Sequence, residues 1–475
     1  MIFTDALFIL YFLPVTAAVY YILRFSRRLQ NGWLLTASIV FYGLLEPLFI
    51  ITLIILIWSN YALGRILEKN RDNEIVFRAF IFLNISVFFI MRYLNFAVSS
   101  FSDIFSLDID FVTGIVAPAG MAFFVLRAIS YLIDIKHERT GASHSIVELG
   151  LYFSFFPVII AGPLTDFDQM RTQISHREHS RQRVAVGLCR FVTGFAKKVI
   201  LADSFAVIAD NIFGLSTIGI HIYSVPAALA WLGALTFVLQ IYYDFSAYCD
   251  MAIGMGLIFG FKFPENFDYP INSLTVTEFW KKFNITVIRW FDIYVKDSML
   301  RNKDTNKDRI IKAMFIMWML IGFWHGANWT FFLWGIFNYA LIIIEDFLGV
   351  ENLPVHSFVM RIYTIFMVTV GFVIYRAMDL YQSGIYFGNM FMRNHNGFFS
   401  DLAIMYLREY AAIFAAGVIM CTPISRRINK RLASEGDGRI KNVVNNLYPV
   451  VMLLLLVVAL AYMFSMGSRE FVFYR

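Results

Sequence analysis

Charge is scarce in this chain: only 16% of its 475 residues are Asp, Glu, Lys or Arg, against 59% hydrophobic. A water-soluble protein cannot hide so much apolar surface, and the mean hydropathy of +0.65 points the same way. Cysteine is nearly missing too. Cys189, Cys249 and Cys421 stand far apart without ligand spacing, which argues against a disulfide framework and against a zinc site. The chain has no Gly-rich phosphate loop, no G-x-S-x-G elbow and no paired metal ligands, so phosphoryl transfer, serine hydrolysis and redox chemistry lose ground. Many of the basic residues occur in short clusters beside apolar runs. That is the wrong distribution for nucleic-acid binding and the right one for a chain whose partner is the lipid bilayer.

What the chain has in quantity is long apolar runs. Windows of roughly 18 or more apolar residues recur from end to end. Spans are expected near 4–23, 31–46, 48–64, 77–96, 111–134, 186–212, 225–259, 313–346, 357–376, 403–422 and 446–466. The expected fold is all-α, with about 10–12 transmembrane helices around a central polar cavity, plus re-entrant and amphipathic interfacial helices. One integral membrane domain is expected over residues 1–475. Met1–Ile22 reads as a first span and not a cleaved signal, because no small-residue cleavage site follows. The stretch 147–163, broken by Pro157 and Gly162-Pro163, reads as re-entrant or buried.

Basic clusters at Arg24–Arg28, Arg65–Arg78, Lys136–Arg139, Arg171–Arg190 and Arg426–Lys441 mark the cytoplasmic side. The connectors near Asp103–Asp110, Asp210–Tyr223 and Glu345–Asn352 are then the expected outer loops. This count leaves Arg426–Lys441 on the wrong side unless 377–401 also enters the bilayer.

Between 260 and 312 the chain is basic and aromatic without a convincing span. Thr275-x-x-Glu278 reads as a capping box. Phe279, Phe283, Val287, Trp290 and Tyr294 then recur at helical spacing. On a helical wheel Asn284 falls at about 140°, the rim of the apolar arc, with Lys281, Lys282, Arg289 and Lys296 opposite. The expectation is one amphipathic helix, at an interface or folded into the protein, presenting a single amide at its edge.

His325 is the one histidine of eight inside a membrane-length apolar run, in Phe323-Trp324-His325-Gly326-Ala327-Asn328-Trp329. An ionisable ring at that depth has a partner or a purpose. It is either a general base taking a proton from an attacking hydroxyl or a polar tie between helices. Gly326 leaves room beside it for a ligand or a backbone break. Asn284 hydrogen-bonds but takes up no proton, so it would orient an acyl carbonyl or the histidine, or be an ordinary polar position. Asp244 and Asp250, six apart, face different sides of their helix; pairing with Arg or Lys and a substrate path both remain open. Six of nine tryptophans (Trp280, Trp290, Trp318, Trp324, Trp329, Trp334) lie in this neighbourhood, as packing and anchoring more than as a cofactor box.

Several motifs in order carry a resemblance: Ala161-Gly162-Pro163, Tyr243-Asp244-Phe245-Ser246-Ala247-Tyr248, Phe263-Pro264-Glu265-Asn266-Phe267, Thr277-Glu278-Phe279-Trp280, Trp324-His325-Gly326-Ala327 and Glu470-Phe471-Val472-Phe473-Tyr474. Together they resemble the membrane-bound O-acyltransferase superfamily, and most of all its bacterial alginate O-acetylation branch. The resemblance implies an enzyme passing an acyl group, acetyl first, from a cytoplasmic thioester towards an acceptor across the membrane. The donor, acetyl-CoA or an acyl carrier protein, would be a substrate; no permanently bound cofactor and no metal are implied. The family's histidine maps onto His325 and its second polar position onto Asn284. The alginate type has histidine where this chain has Asn284, which leaves His325 as the sole base here.

Trp280, Trp324 and Arg289 would shape or charge-balance the donor entrance, and Asp244 would lie on a substrate path. The basic loops either receive an acidic donor or only set topology. The implied acceptor is a cell-surface polysaccharide, reached through an extracytoplasmic partner protein, and the implied location is the bacterial cytoplasmic membrane. Two alternatives stand beside this reading: a D-alanyl transferase for teichoic acids, and a transporter or channel whose buried polar groups line a path.

Overall fold

The computed structural model describes residues 1–107, 113–114, 117–214, 222–300, 306–424, 438–467 and 469–471. Parts of the expected connectors 103–110 and 210–223 and most of the cluster 426–441 fall outside these residues. Among the described residues the fold is helical, with one isolated antiparallel bridge between Phe267 and Phe283. Seven described helices are long and apolar enough to cross a membrane, or eight if the pair Asp401–Glu409 and Ala411–Met420, bent by 70°, counts as one. The chain is a polytopic helical membrane protein. Ala227–Ile258 is its most enclosed span, 72% buried where Leu447–Ser465 is only 11% buried, so the first is the axis and the second is lipid-facing periphery.

Contacts between loops sort the ends of the helices onto two faces. Arg71 pairs with Glu138 at 3.0 Å, Arg27 donates to the Arg177 carbonyl at 2.8 Å, and Gln173 donates to the Lys262 carbonyl at 3.3 Å. The clusters at 24–28, 65–78, 136–139 and 171–190 therefore share one basic face with the 260–300 segment. On the opposite face Asp210 meets Arg376 and Arg469, while Asn389 and Asn396 donate to the carbonyls of Ile222 and Tyr223.

The expected span 313–346 is two helices, Lys307–His325 and Trp329–Leu348, folded back on each other. The Phe323 ring lies 5.1 Å from Phe332 and the Phe315 ring 5.2 Å from Tyr339, the pairing of an antiparallel hairpin. Gly322 and Gly335 let the backbones touch: a Cβ on either would lie 2.5 Å from a main-chain oxygen, of Phe331 or Trp318. Hydropathy alone cannot see such a turn, because the apolar run is unbroken through it.

The hairpin adds one crossing, and the connector Glu345–Asn352 moves to the basic face. There Glu345 accepts from the backbone N–H of Val276 and Thr277 at 2.6 and 2.8 Å, capping the helix Val276–Lys282. That connector, expected among the outer loops, thus shares a face with the basic clusters. Ala411–Met420 ends beside the basic-face residues Arg190 and Asp250, while the cluster 426–441, on which the topological conflict turned, lies mostly outside the described residues.

The stretch 147–163 is buried from Leu149 onwards, as a helix Ile146–Ser154 followed by turns. Arg127 supports it by donating to the carbonyls of Tyr152, Phe153 and Val158. Irregular backbone is tolerated here because protein covers it.

Candidate functional site

His325 is the last residue of its helix, at the tip of the hairpin. A helix end leaves carbonyls without intrahelical partners. Two side chains from the helix Glu74–Phe105 satisfy them here: Arg92 donates to the His325 carbonyl at 2.6 Å, and the Tyr93 hydroxyl donates to the Phe323 carbonyl. The imidazole itself is half-buried. Its Nδ1 lies 3.3 Å from the Tyr375 hydroxyl, and the Trp324, Trp334 and Tyr375 rings stand edge-on at 4.9–5.2 Å. The space beside Gly326 is taken by the Phe331 ring, which a Cβ there would strike. The glycine serves that packing, and the opening for a ligand lies elsewhere.

Asn284 is held differently. The expected single helix over 279–296 is broken, and the correction has a local cause. Phe283 is extended, and Asn284 adopts the left-handed conformation (φ 52°, ψ 48°) between the helices Val276–Lys282 and Ile285–Phe291. Asn pays less than most residues for that conformation. The segment 266–268 runs along the break: Asp268 N–H donates to the Lys282 carbonyl and Ile285 N–H to the Asn266 carbonyl, each at 3.0 Å. Asn266 also donates through Nδ2 to Asn284 Oδ1 at 3.0 Å and accepts from Thr286 at 2.9 Å. The apolar positions Phe279, Phe283, Val287, Trp290 and Tyr294 are all buried, so the segment is folded into the protein.

His325 and Asn284 line one small cavity of about 50 Å³, with Trp280, Phe283, Trp324 and Tyr375 among its walls. The cavity is mainly aromatic, with few polar groups facing it. On the opposite face His325 also borders a wider cleft of about 570 Å³ that includes Arg92, Asn328 and Arg376. On the basic face Asn266 borders another, about 690 Å³, with Arg190, Lys197, Asp250 and Glu265. Two open clefts thus approach a narrow throat from either side. Asn284, only 4% exposed, is backed by Asn266 of the basic-face cleft, and His325 is shared with the cleft on the opposite face.

Of the remaining candidates, Trp280 and Trp324 line the throat, and their indoles donate to Asn338 Oδ1 at 2.9 Å and the Ala122 carbonyl at 3.2 Å. Asp244 is at the throat wall and is ion-paired: Lys198 Nζ is 2.6 Å from it and 2.8 Å from Asp203. Asp250 pairs with Arg190 and Lys197 at 2.8 and 2.6 Å, on the basic-face cleft. The two carboxylates do face different ways, each with a cationic partner. Arg289 is not brought to the throat; it is exposed and borders a separate 90 Å³ cavity with Arg127 and Trp290. Five of the six clustered tryptophans are buried, Trp329 being the exposed one, consistent with packing.

Three site residues were not anticipated: Arg92, Tyr375 and Asn266. A signal existed for Arg92, a lone charge in the apolar run of its helix, by the same reasoning that singles out His325. Tyr375 carries none, since only the tertiary fold brings it to residue 325. Asn266 sits in a quoted motif without anything to mark its role.

Comparison with known proteins gives a consistent answer. Residues 34–407 match the model of MBOAT, the membrane-bound O-acyltransferase family. The chain is 35% identical over 388 residues to a probable alginate O-acetylase, AlgI, of Azotobacter vinelandii, covering 80% of this chain and 76% of that one. It is 31% identical to a peptidoglycan O-acetyltransferase of Helicobacter pylori over 71% of this chain and 69% of that one. A teichoic acid D-alanyltransferase of Streptococcus thermophilus is similar at 24% identity over 48% of this chain and 56% of that one.

Proposed function

From the premise that the chain belongs to the membrane-bound O-acyltransferase family, we propose that it moves an acetyl group from a thioester donor on the basic face to a hydroxyl acceptor on the opposite face. The basic face is the cytoplasmic one under the positive-inside rule. The bacterial cytoplasmic membrane is then its place, the donor is acetyl-CoA or an acetylated carrier protein, and the acceptor is a polysaccharide or an extracytoplasmic protein that passes the group on. Acetyl is preferred to D-alanyl because the O-acetylating relatives match over far more of the chain.

The observation that carries this reading is the placement of His325, on the shared wall between the enclosed throat with Asn284 and the open cleft beyond. The base must be a nitrogen with a free lone pair. With the proton on Nδ1 and donated to the Tyr375 oxygen, Nε2 is free to accept the proton of the attacking hydroxyl. The hydroxyl oxygen forms the ester bond to the acyl carbon, the carbon–sulfur bond breaks, and the thiol leaves with the proton. Asn284 has its Oδ1 engaged by Asn266, so its Nδ2 is the donor offered to the acyl carbonyl as charge develops there. Trp280 and Trp324 give the throat its aromatic wall.

The test is transfer of labelled acetyl by the purified chain in proteoliposomes, with mass-spectrometric detection of acetyl esters in the acceptor. His325→Ala that folds and binds donor but transfers nothing is the expected result. Full transfer by that variant would end the proposal.

A further inference from the structure

A second cleft on the basic face, about 980 Å³ in volume and separate from the donor side of the throat, has the makings of an anion site. Four cationic side chains border it, Arg27, Arg177, Arg183 and Lys262, against two carboxylates, Asp168 and Glu178. Glu178 is used by Arg183 at 2.8 Å. Arg27 and Arg177 have neutral partners instead. Arg27 donates to Gln30 Oε1, to the Arg177 carbonyl and towards the His179 ring. Arg177 donates to the Tyr20 hydroxyl, Asn31 Oδ1 and the Ile174 carbonyl at 2.7–3.2 Å.

Arg177 is only 6% exposed, and its Nη2 is buried with no hydrogen-bond partner among the described residues. A guanidinium taken out of water without a counter-charge, next to a second one, is an arrangement that a bound anion would relieve. His179 stands beside the cleft and not on its lining, and burial first, then the charges of Arg27, Arg177 and Arg183, push its pKa down to about 4. His179 is therefore neutral at physiological pH and does not add to the cationic set. Its ring nitrogen is the neighbour that fixes Arg27 in place.

We propose that this cleft binds a phosphate group, held by Arg27 and Arg177 with Lys262 at its rim. Paired guanidiniums match the geometry of phosphate oxygens, and the open side of the cleft admits a group carried on a larger molecule. The phosphate has two possible sources, an anionic lipid headgroup at the membrane surface or a soluble phosphate such as that of coenzyme A. The proposal does not depend on His325 as base.

The full-length chain in detergent would be titrated with inorganic phosphate and with coenzyme A, following thermal unfolding. In parallel, nanodiscs of phosphatidylglycerol or phosphatidylcholine would be compared for lipid retained by the protein in native mass spectrometry. Saturable protection by the soluble ligands, or selective retention of phosphatidylglycerol, is expected, and which of the two occurs names the source. Arg27→Gln and Lys262→Gln should each weaken the effect about tenfold or more, as loss of a charge-assisted contact does. Lys262 is exposed and makes no side-chain bond among the described residues, so its variant keeps the test valid if Arg27→Gln unfolds. Lys281→Gln, an exposed charge away from this cleft, should change nothing. No protection by any probe, or equal weakening by Lys281→Gln, would overturn the site.

Discussion

His325 and Asn284 each sit where a helix stops, yet the two stops are built by opposite means. Asn284 is fixed locally: the strand-like segment 266–268, less than 20 residues away in sequence, bonds to both sides of the break. His325 is fixed from afar, by Arg92 and Tyr93 more than 200 residues earlier and by Tyr375 fifty residues later. A local stop survives changes elsewhere and fails when its own residue changes. A tertiary stop fails when any of its distant supports is removed. The contrast lets each residue's chemical part be separated from its part in holding the backbone.

The largest effect is expected at His325 itself. His325→Ala should lower kcat by about 10²–10⁴, the usual worth of a positioned general base, with KM for the donor little changed. A drop below tenfold would show that the imidazole is a structural tie only.

Asn284 should come next, and two variants divide its roles. Asn284→Ala loses the amide and also strains the left-handed backbone, so it should lose about 10–10² in rate together with stability. Asn284→Gly keeps that backbone at ease, so it should recover the unfolding temperature but not the rate. If glycine restores activity as well, the residue is a backbone device and its amide is idle.

Arg92→Leu leaves the His325 carbonyl without its partner. Stability should fall by about 1–3 kcal/mol, the cost of an orphaned buried polar group, and the rate should fall with it. Arg92→Lys, which still reaches with a charged donor, should recover part of both. Unchanged activity in Arg92→Leu would remove the distant-support side of the comparison.

The smallest effect is expected from Tyr375→Phe. One neutral hydrogen bond is worth about 0.5–1.5 kcal/mol, which is a few-fold to about tenfold in kcat. The loss should appear in kcat and not in KM, since the hydroxyl acts through its bond to the imidazole.

Much of this molecule was legible before any coordinates, and what was not has a common physical cause. Apolar runs announce membrane helices because burial in lipid demands them, and the depth of His325 announces a site for the same reason. The turn at Gly326-Ala327-Asn328 was half legible: Gly326 offered a backbone break, yet an apolar run reads alike whether it goes straight or doubles back. The break at Asn284 was hidden because each half of the segment keeps helical spacing, and a wheel adds the two halves as if they were continuous. The capping box at Thr275 was read correctly in outline: Thr275 Oγ accepts from Glu278 N–H at 3.0 Å, though the Glu278 carboxylate takes the N–H of Leu274. Glu345 as a further cap could not be foreseen, because it depends on which face its loop emerges from. Arg289 is exposed, as its place opposite the apolar arc implied, and it does not line the throat.

The contact between Gly322 and Gly335 reaches beyond packing. Two helices locked backbone to backbone behave as one stiff beam, so the imidazole at its end has little freedom to swing aside. Ile241, Phe283 and Phe372 also line the throat of about 50 Å³ beside it. Any widening needed to seat both reactants must then come from those walls and not from the hairpin that carries His325.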